Sequence, residues 1–233
     1  MVKHKFSLIE LVSIIAIFTI LLSLLQPALL NTLKRSEVVT CKNNLKQLGL
    51  TTFTYVDDHN GRLPPRSFGS VGTWLLKLHE TATGELITDK RKFNPFSTMF
   101  ECPTAQKENT EAWRYFEGGY GYNHNAGDFA VLQRRPLIWE DQTKSFSDIQ
   151  KPHETVLIGD DKDAELNKRT SYYNTQLLPY TYIRNRDGNR RIRHDLFANY
   201  FWADGHTEEV LWDQFIQDGL DKGSADYYLN FDK

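Results

Sequence analysis

Apolar residues fill the chain from Phe6 to Leu25 almost without interruption, and the one charge among them is Glu10. Leu, Ile, Val, Phe and Ala make up the run, with a few Ser and Thr that can bond back to a helix. At about 1.5 Å rise per residue the run spans roughly 30 Å, the thickness of a bilayer's hydrocarbon. A single segment in lipid must satisfy its backbone polar groups internally, so the pattern predicts a transmembrane helix over 6–30. Lys3 and Lys5 precede it and Lys34 and Arg35 follow it. The leading pair favours a cytoplasmic N-terminus, and the trailing pair weakens that asymmetry. A cleaved secretory signal has a shorter core of about 7–15 residues and an A-x-A-like site after it, and the chain meets neither condition. A plain single-pass anchor accounts for everything in the run except Glu10, because a carboxylate in hydrocarbon is costly and marks a function.

Beyond Gln26-Pro27 the pattern changes. Proline inside a helix removes one hydrogen bond and kinks the helix without having to end it. Val38, Cys41, Leu45, Leu48, Thr52 and Tyr55 then recur at spacings of three and four, with Lys42, Asn43, Asn44, Lys46 and Gln47 between them. That spacing predicts an amphipathic continuation over 31–58 with one apolar stripe. Asp57-Asp58-His59-Asn60-Gly61 and Pro64-Pro65 end it, with glycine as the C-terminal stop. The expectation is one helix from Phe6 to Asp58, about 75–80 Å long, whose second part lays its stripe on a globular head over 59–233.

In the head, short apolar or alternating runs are separated by Gly, Asn and Pro. Thr155-Val156-Leu157-Ile158 predicts a strand ending at Gly159-Asp160-Asp161. Residues 199–203, Asp204-Gly205 and 206–210 predict a hairpin on a two-residue turn, in which Asp-Gly supplies the positive φ angles. Trp74 to His79 and Leu211 to Leu220 carry helical spacing. Strands and short helices against one long helix make an α+β fold with an antiparallel sheet. Trp74, Tyr122 and Phe201 are core candidates.

Charge and cysteine content narrow the function. A formal net charge of -2 gives no electrostatic case for nucleic acid. Arg184, Arg186, Arg190, Arg191 and Arg193 are interleaved with Asn185, Asp187-Gly188 and Asn189 and read as a solvated loop before a binding patch. The two cysteines, Cys41 and Cys102, both fall outside the cytoplasm on this reading. They are expected to pair, as cysteines in an oxidising compartment do, and the alternative is two buried thiols. A bridge would close a loop of about 60 residues and contribute up to about 4 kcal/mol in the chain-entropy model. Their spacing is not that of a zinc site with four ligands in close pairs.

Phe6-Ser7-Leu8-Ile9-Glu10-Leu11, with the apolar run and then Leu24-Leu25-Gln26-Pro27-Ala28-Leu29, resembles the N-terminus of type IV prepilins and type II secretion pseudopilins. The resemblance implies a basic leader, residues 1–5, removed by a prepilin peptidase, with cleavage after Lys5 and methylation of Phe6. It implies that Glu10 pairs with the N-terminal amine of a neighbouring pilin-like subunit during assembly. The burial cost of a carboxylate agrees with that role, since a nearby ammonium relieves it. Lys5 departs from the pattern, because the family has glycine there.

A second resemblance covers more of the chain. His194, nine residues, then Asp204-Gly205-His206 is similar to the C-terminal motif of a prepilin-associated family. So are Cys41-Lys42-Asn43-Asn44-Leu45-Lys46-Gln47-Leu48-Gly49, Cys102-Pro103, Tyr120-Gly121-Tyr122-Asn123 and Ile149 to Val156, in the same order. That family's role beyond a pilin-like architecture is undefined.

Candidate chemistry in the head is sparse. His194, Asp204 and His206, joined by Asp160 or Asp161, have donors that suit zinc or another divalent ion, and equally suit a turn and a structural histidine. Asp160, Asp161 and Asp163 could hold calcium or form an acidic turn. No nucleophile elbow, phosphate loop or dinucleotide fingerprint occurs, so neither an enzyme nor a cofactor is expected. The expected function is a pilin-like or pseudopilin-like structural subunit, single-pass in the inner membrane, with a cytoplasmic N-terminus and a periplasmic head. Its partners would be other pilin-like subunits, the peptidase and lipid. The alternatives are a tethered extracytoplasmic binding module that never polymerises and a metal-dependent hydrolase using His194, Asp204 and His206.

Overall fold

A computed structural model describes residues 7–65, 67–68, 72–86, 99–104, 119–123, 143–160, 176–177, 194, 196–223 and 228, with backbone alone at 67–68, 72–73 and 176–177. The chain divides into two compact units, Met1–Val39 and Thr40–Lys233. The fold is α+β. Leu8–Asp58 is one helix, α1, and it runs through Pro27.

Within the first unit α1 is apolar and uncovered. Its most apolar stretch is long enough to cross a membrane, and none of it is buried. The polar side chains along it turn inward on their own backbone: Ser13, Thr19 and Ser23 donate to carbonyls three residues back, and Thr32 to one four residues back. Such back-bonding satisfies the hydroxyls within the helix itself, as an apolar surrounding would require. At the start of the helix the Ser7 amide donates to Glu10 Oε2 at 2.8 Å, one half of a capping box.

In the second unit the helical stripe is buried as the spacing predicts. Cys41, Leu45, Leu48, Thr52 and Tyr55 are buried, and Gly49 and Val56 join them. Val38, the first position of the predicted stripe, is half-buried and falls in the first unit. The helix stops in a left-handed turn, with Asn60 at φ 53° and Gly61 at φ 78°. The Gly61 amide bonds back to the Val56 carbonyl at 2.9 Å, the long bond of a Schellman motif, so Asn60 shares the stop that the sequence assigns to Gly61.

Two two-residue strands, β1 (Ser67–Phe68) and β2 (Gly72–Thr73), pair with each other and lead into α2 (Trp74–Thr83). The main sheet contains β3 (Tyr120–Asn123), β4 (Val156–Asp160), β5 (Gln176–Leu177), β6 (Phe197–Trp202) and β7 (Thr207–Leu211), in the order β5-β3-β4-β6-β7. Its pairings are antiparallel except for the short edge pair β3–β5, which is parallel. A last helix, α3 (Trp212–Asp221), follows β7 directly.

The central strand β4 is buried at every residue, which is why it reads as an unbroken apolar run rather than an alternation. Both faces of the sheet are covered. One core joins Cys41, Leu45, Leu48 and Tyr55 of α1 with Trp74, Tyr122, Leu157, Ile158 and Phe201. The other joins Val156, Ala198, Tyr200 and Trp202 with Trp212, Ile216 and Tyr228. The register against β6 shifts between Val156 and Ile158, and this irregularity lets Leu157 and Ile158 both enter the first core. The strand β7, outermost on its side of the sheet among the described residues, carries Glu208 and Glu209 exposed, and charges of that kind discourage edge pairing.

The β6–β7 hairpin corrects one sequence expectation. Gly205 has φ 94°, but Asp204 is not left-handed. The Gly205 amide donates to the Trp202 carbonyl and the Trp202 amide to the His206 carbonyl, both at 3.0 Å. The loop is therefore three residues, a type I turn followed by a left-handed glycine, instead of a two-residue turn needing two positive φ angles. It is braced from α1: Lys46 passes 5.8 Å over the Phe201 ring and donates to the Gly205 carbonyl.

Candidate functional site

Four side chains that bind metals or do redox chemistry converge in the second unit: Cys41, Cys102, Asp160 and His194, all buried. Each comes from a different place. Cys41 is the first buried position of the α1 stripe, and Cys102 lies in the short segment 99–104. Asp160 is the last residue of β4, and His194 forms an isolated bridge with Phe197 at the start of β6. One donor atom from each lies within 4.8 Å of all the others. The Cys41 thiol donates to Asp160 Oδ1 at 3.1 Å, Cys102 Sγ is 3.6 Å from His194 Nε2, and that nitrogen is 3.4 Å from Asp160 Oδ2. Both cysteines are free thiols.

A second ring of polar groups fixes the first. Asp160 Oδ2 accepts from the Asn199 amide at 2.7 Å and from Asn199 Nδ2 at 2.9 Å. The Tyr120 hydroxyl lies 3.1 Å from the Cys41 carbonyl and 3.3 Å from Cys41 Sγ. Thr104 Oγ1 is 3.4 Å from His194 Nδ1. Register explains part of this: Tyr120 stands directly across from Asp160 in the β3–β4 pair.

The two thiols are driven apart in acidity. Burial, reinforced by Cys102 and the Asp160 charge, pushes the Cys41 thiol well up. Burial also acts against ionisation of Cys102, but its contacts with Cys41 and His194 outweigh it and lower Cys102 to about 6. One thiol that holds its proton beside one that gives it up is a pair suited to disulfide formation or to soft-metal binding.

The sequence-predicted site residues are regrouped. Cys41 and Cys102 are neighbours, and His194 and Asp160 lie with them. Asp204 and His206 do not belong to this cluster; they pair with each other at the hairpin loop, Asp204 Oδ1 lying 2.5 Å from His206 Nδ1 and 3.1 Å from its amide. Burial pushes the Asp204 carboxyl up, and the two His206 bonds, with the charges of His206 and His153, together override it and hold it below the usual carboxylate range. The grouping of His194, Asp204 and His206 is thus replaced by one centred on the cysteines, because His194 is buried while Asp204 and His206 sit exposed at the hairpin loop. Lys5, Phe6, Asp161, Asp163 and the arginine cluster lie outside the described residues. Asn199 and Thr104 escape sequence reasoning, and Tyr120 enters it only as part of a resemblance segment, since an isolated polar residue in a strand or turn gives no sign of its partner.

Four of the segments that carry the second resemblance supply this site: Cys41, Cys102, Tyr120 and His194 each come from one of them. Compared with family models, curated proteins and solved structures, the chain matches none.

Proposed function

We propose that this chain is a pilin-like subunit, anchored in the inner membrane by its N-terminal helix and able to pack that helix against those of other pilin-like subunits. The supporting observation is the surface of α1 in the first unit. Leu8 and Ile9 are 81% and 74% exposed, and the large apolar residues from Leu11 to Leu33 are all at least half exposed. A contiguous apolar surface of that extent needs a cover, and lipid and sister helices are the covers it fits. Glu10 is the one carboxylate within it, so an ammonium at the same depth is its natural partner. On this reading Phe6 becomes the N-terminal residue after peptidase cleavage, the N-terminus starts on the cytoplasmic side and the head is extracytoplasmic.

A second reading is a tethered binding module that never polymerises. Lys5 in place of glycine supports it, and so does the Ser7–Glu10 bond, which gives the carboxylate a local partner. Mass spectrometry of the N-terminus of the membrane-extracted protein separates the two. N-methylated Phe6 is the result expected of a subunit, and an intact leader would overturn the assembly reading. Crosslinking between copies in the membrane should be lost in Glu10→Leu while insertion is retained.

A further inference from the structure

We propose that Cys41, Cys102, Asp160 and His194 form a closed four-ligand site for a thiophilic divalent cation of the zinc class. The donor set is two sulfurs, one imidazole nitrogen and one carboxylate oxygen, the mixture that a borderline-soft ion takes. The spacing fits as well. A tetrahedron with zinc–sulfur distances of about 2.3 Å and zinc–nitrogen or –oxygen distances of about 2.0–2.1 Å has edges of roughly 3.3–3.8 Å. The observed separations of 3.1, 3.4 and 3.6 Å are close to such edges and link all four residues, the first through Asp160 Oδ1 and the second through Asp160 Oδ2.

The surroundings carry the argument further. A bound ion needs ligands held by outer partners, and three of the four have them. Thr104 engages His194 Nδ1 and leaves Nε2 aimed at the cysteines. Asn199 holds Asp160 Oδ2 with two N–H groups and leaves Oδ1 facing Cys41. The Tyr120 hydroxyl reaches Cys41 Sγ. Charge also balances: two thiolates and a carboxylate against a dication leave one net negative charge, which the Asn199 and Tyr120 donors offset. Both sulfurs bind as thiolates.

A disulfide is the competing use of the same cysteines, and it accounts for less. Forming it removes the Cys41 proton that Asp160 Oδ1 accepts, which leaves a buried carboxylate oxygen facing a bridged sulfur. It also gives His194 and Asp160 no reason to be there. With four protein ligands the coordination is complete, so the site is structural and ties α1 to the end of β4, to segment 99–104 and to His194, which bridges to the start of β6.

The test uses the full-length chain, extracted in detergent under anaerobic conditions without chelator. Zinc by elemental analysis and thiols after denaturation should give about one ion and two thiols per chain. Replacement of zinc by cobalt should give a thiolate-to-cobalt charge-transfer band in the near ultraviolet. Asp160→Asn should lower the retained zinc, and His194→Cys, which keeps a ligand, should retain the ion and intensify the cobalt band. A chain lighter by two hydrogens with no free thiols would overturn the proposal in favour of the disulfide. A folded chain with two free thiols that gives no cobalt band in excess cobalt would overturn it outright.

Discussion

The Phe201 ring lies against the backbone of Gly49, so close that a methyl group on Gly49 would fall 2.2 Å from its Cε2. A glycine in mid-helix is otherwise a weakness, costing roughly 0.5–1 kcal/mol relative to alanine. Here it lets β6 approach α1 within the buried core. Gly49→Ala should therefore destabilise the head by about 2 kcal/mol, against the usual gain of a glycine-to-alanine change in a helix. Chemical denaturation of the purified protein checks this, and Phe201→Leu in the Gly49→Ala background should recover part of the loss.

Glu10 offers two properties, an acceptor for the Ser7 amide and a negative charge. Glu10→Gln keeps the first and removes the second. If the charge serves subunit pairing, Glu10→Gln should fail to crosslink as Glu10→Leu does, with unchanged membrane insertion. Normal crosslinking of Glu10→Gln would reduce Glu10 to a helix cap.

Tyr122 is fully buried and stacks on Trp74 with ring centroids 5.2 Å apart, yet its hydroxyl finds no partner among the described residues. Tyr122→Phe keeps the stacked ring and removes an unsatisfied polar atom. It should leave stability unchanged or raise it by about 1 kcal/mol. Trp74→Ala, which empties the same place, should cost about 3–5 kcal/mol. Thermal and denaturant melts of the two variants should diverge in sign or in scale.

Asp204 sets a pH dependence of definite sign. Its carboxyl is held below 3.8 in the folded chain by the His206 bonds, so its ionised form is the stabilising one. That contribution is complete above the unfolded value and fades as pH falls through the folded one. Asp204→Asn should thus be less stable than the parent near neutrality, and the gap should close in acid below 3.8. A gap that persists at the acid end would assign the loss to the turn rather than to the charge.

Much of the scaffold was legible without coordinates. The α1 stripe, α2, α3, β4 and the β6–β7 hairpin stand where the spacing places them, because each is written by a local period. The two-residue turn was misread, since Asp-Gly suits either a two- or a three-residue loop and the choice lies in the register of the whole hairpin. Linear spacing also pointed away from a zinc-type centre. Such centres are recognised in sequence by ligands in close pairs, and here each candidate ligand comes singly from its own element.

The sequence by itself determined the elements that repeat: a run of membrane length, a stripe at helical spacing, a buried strand and a glycine-marked turn. Periodicity is local, and hydrophobic burial acts on it residue by residue. Only the tertiary structure decided that Cys41, Cys102, Asp160 and His194 share one buried point and that Asp204 and His206 do not. Those neighbours are set by strand order and register across separations of 92 and 119 residues. No local rule encodes a contact at that distance, because it arises when the faces of separate elements pack together.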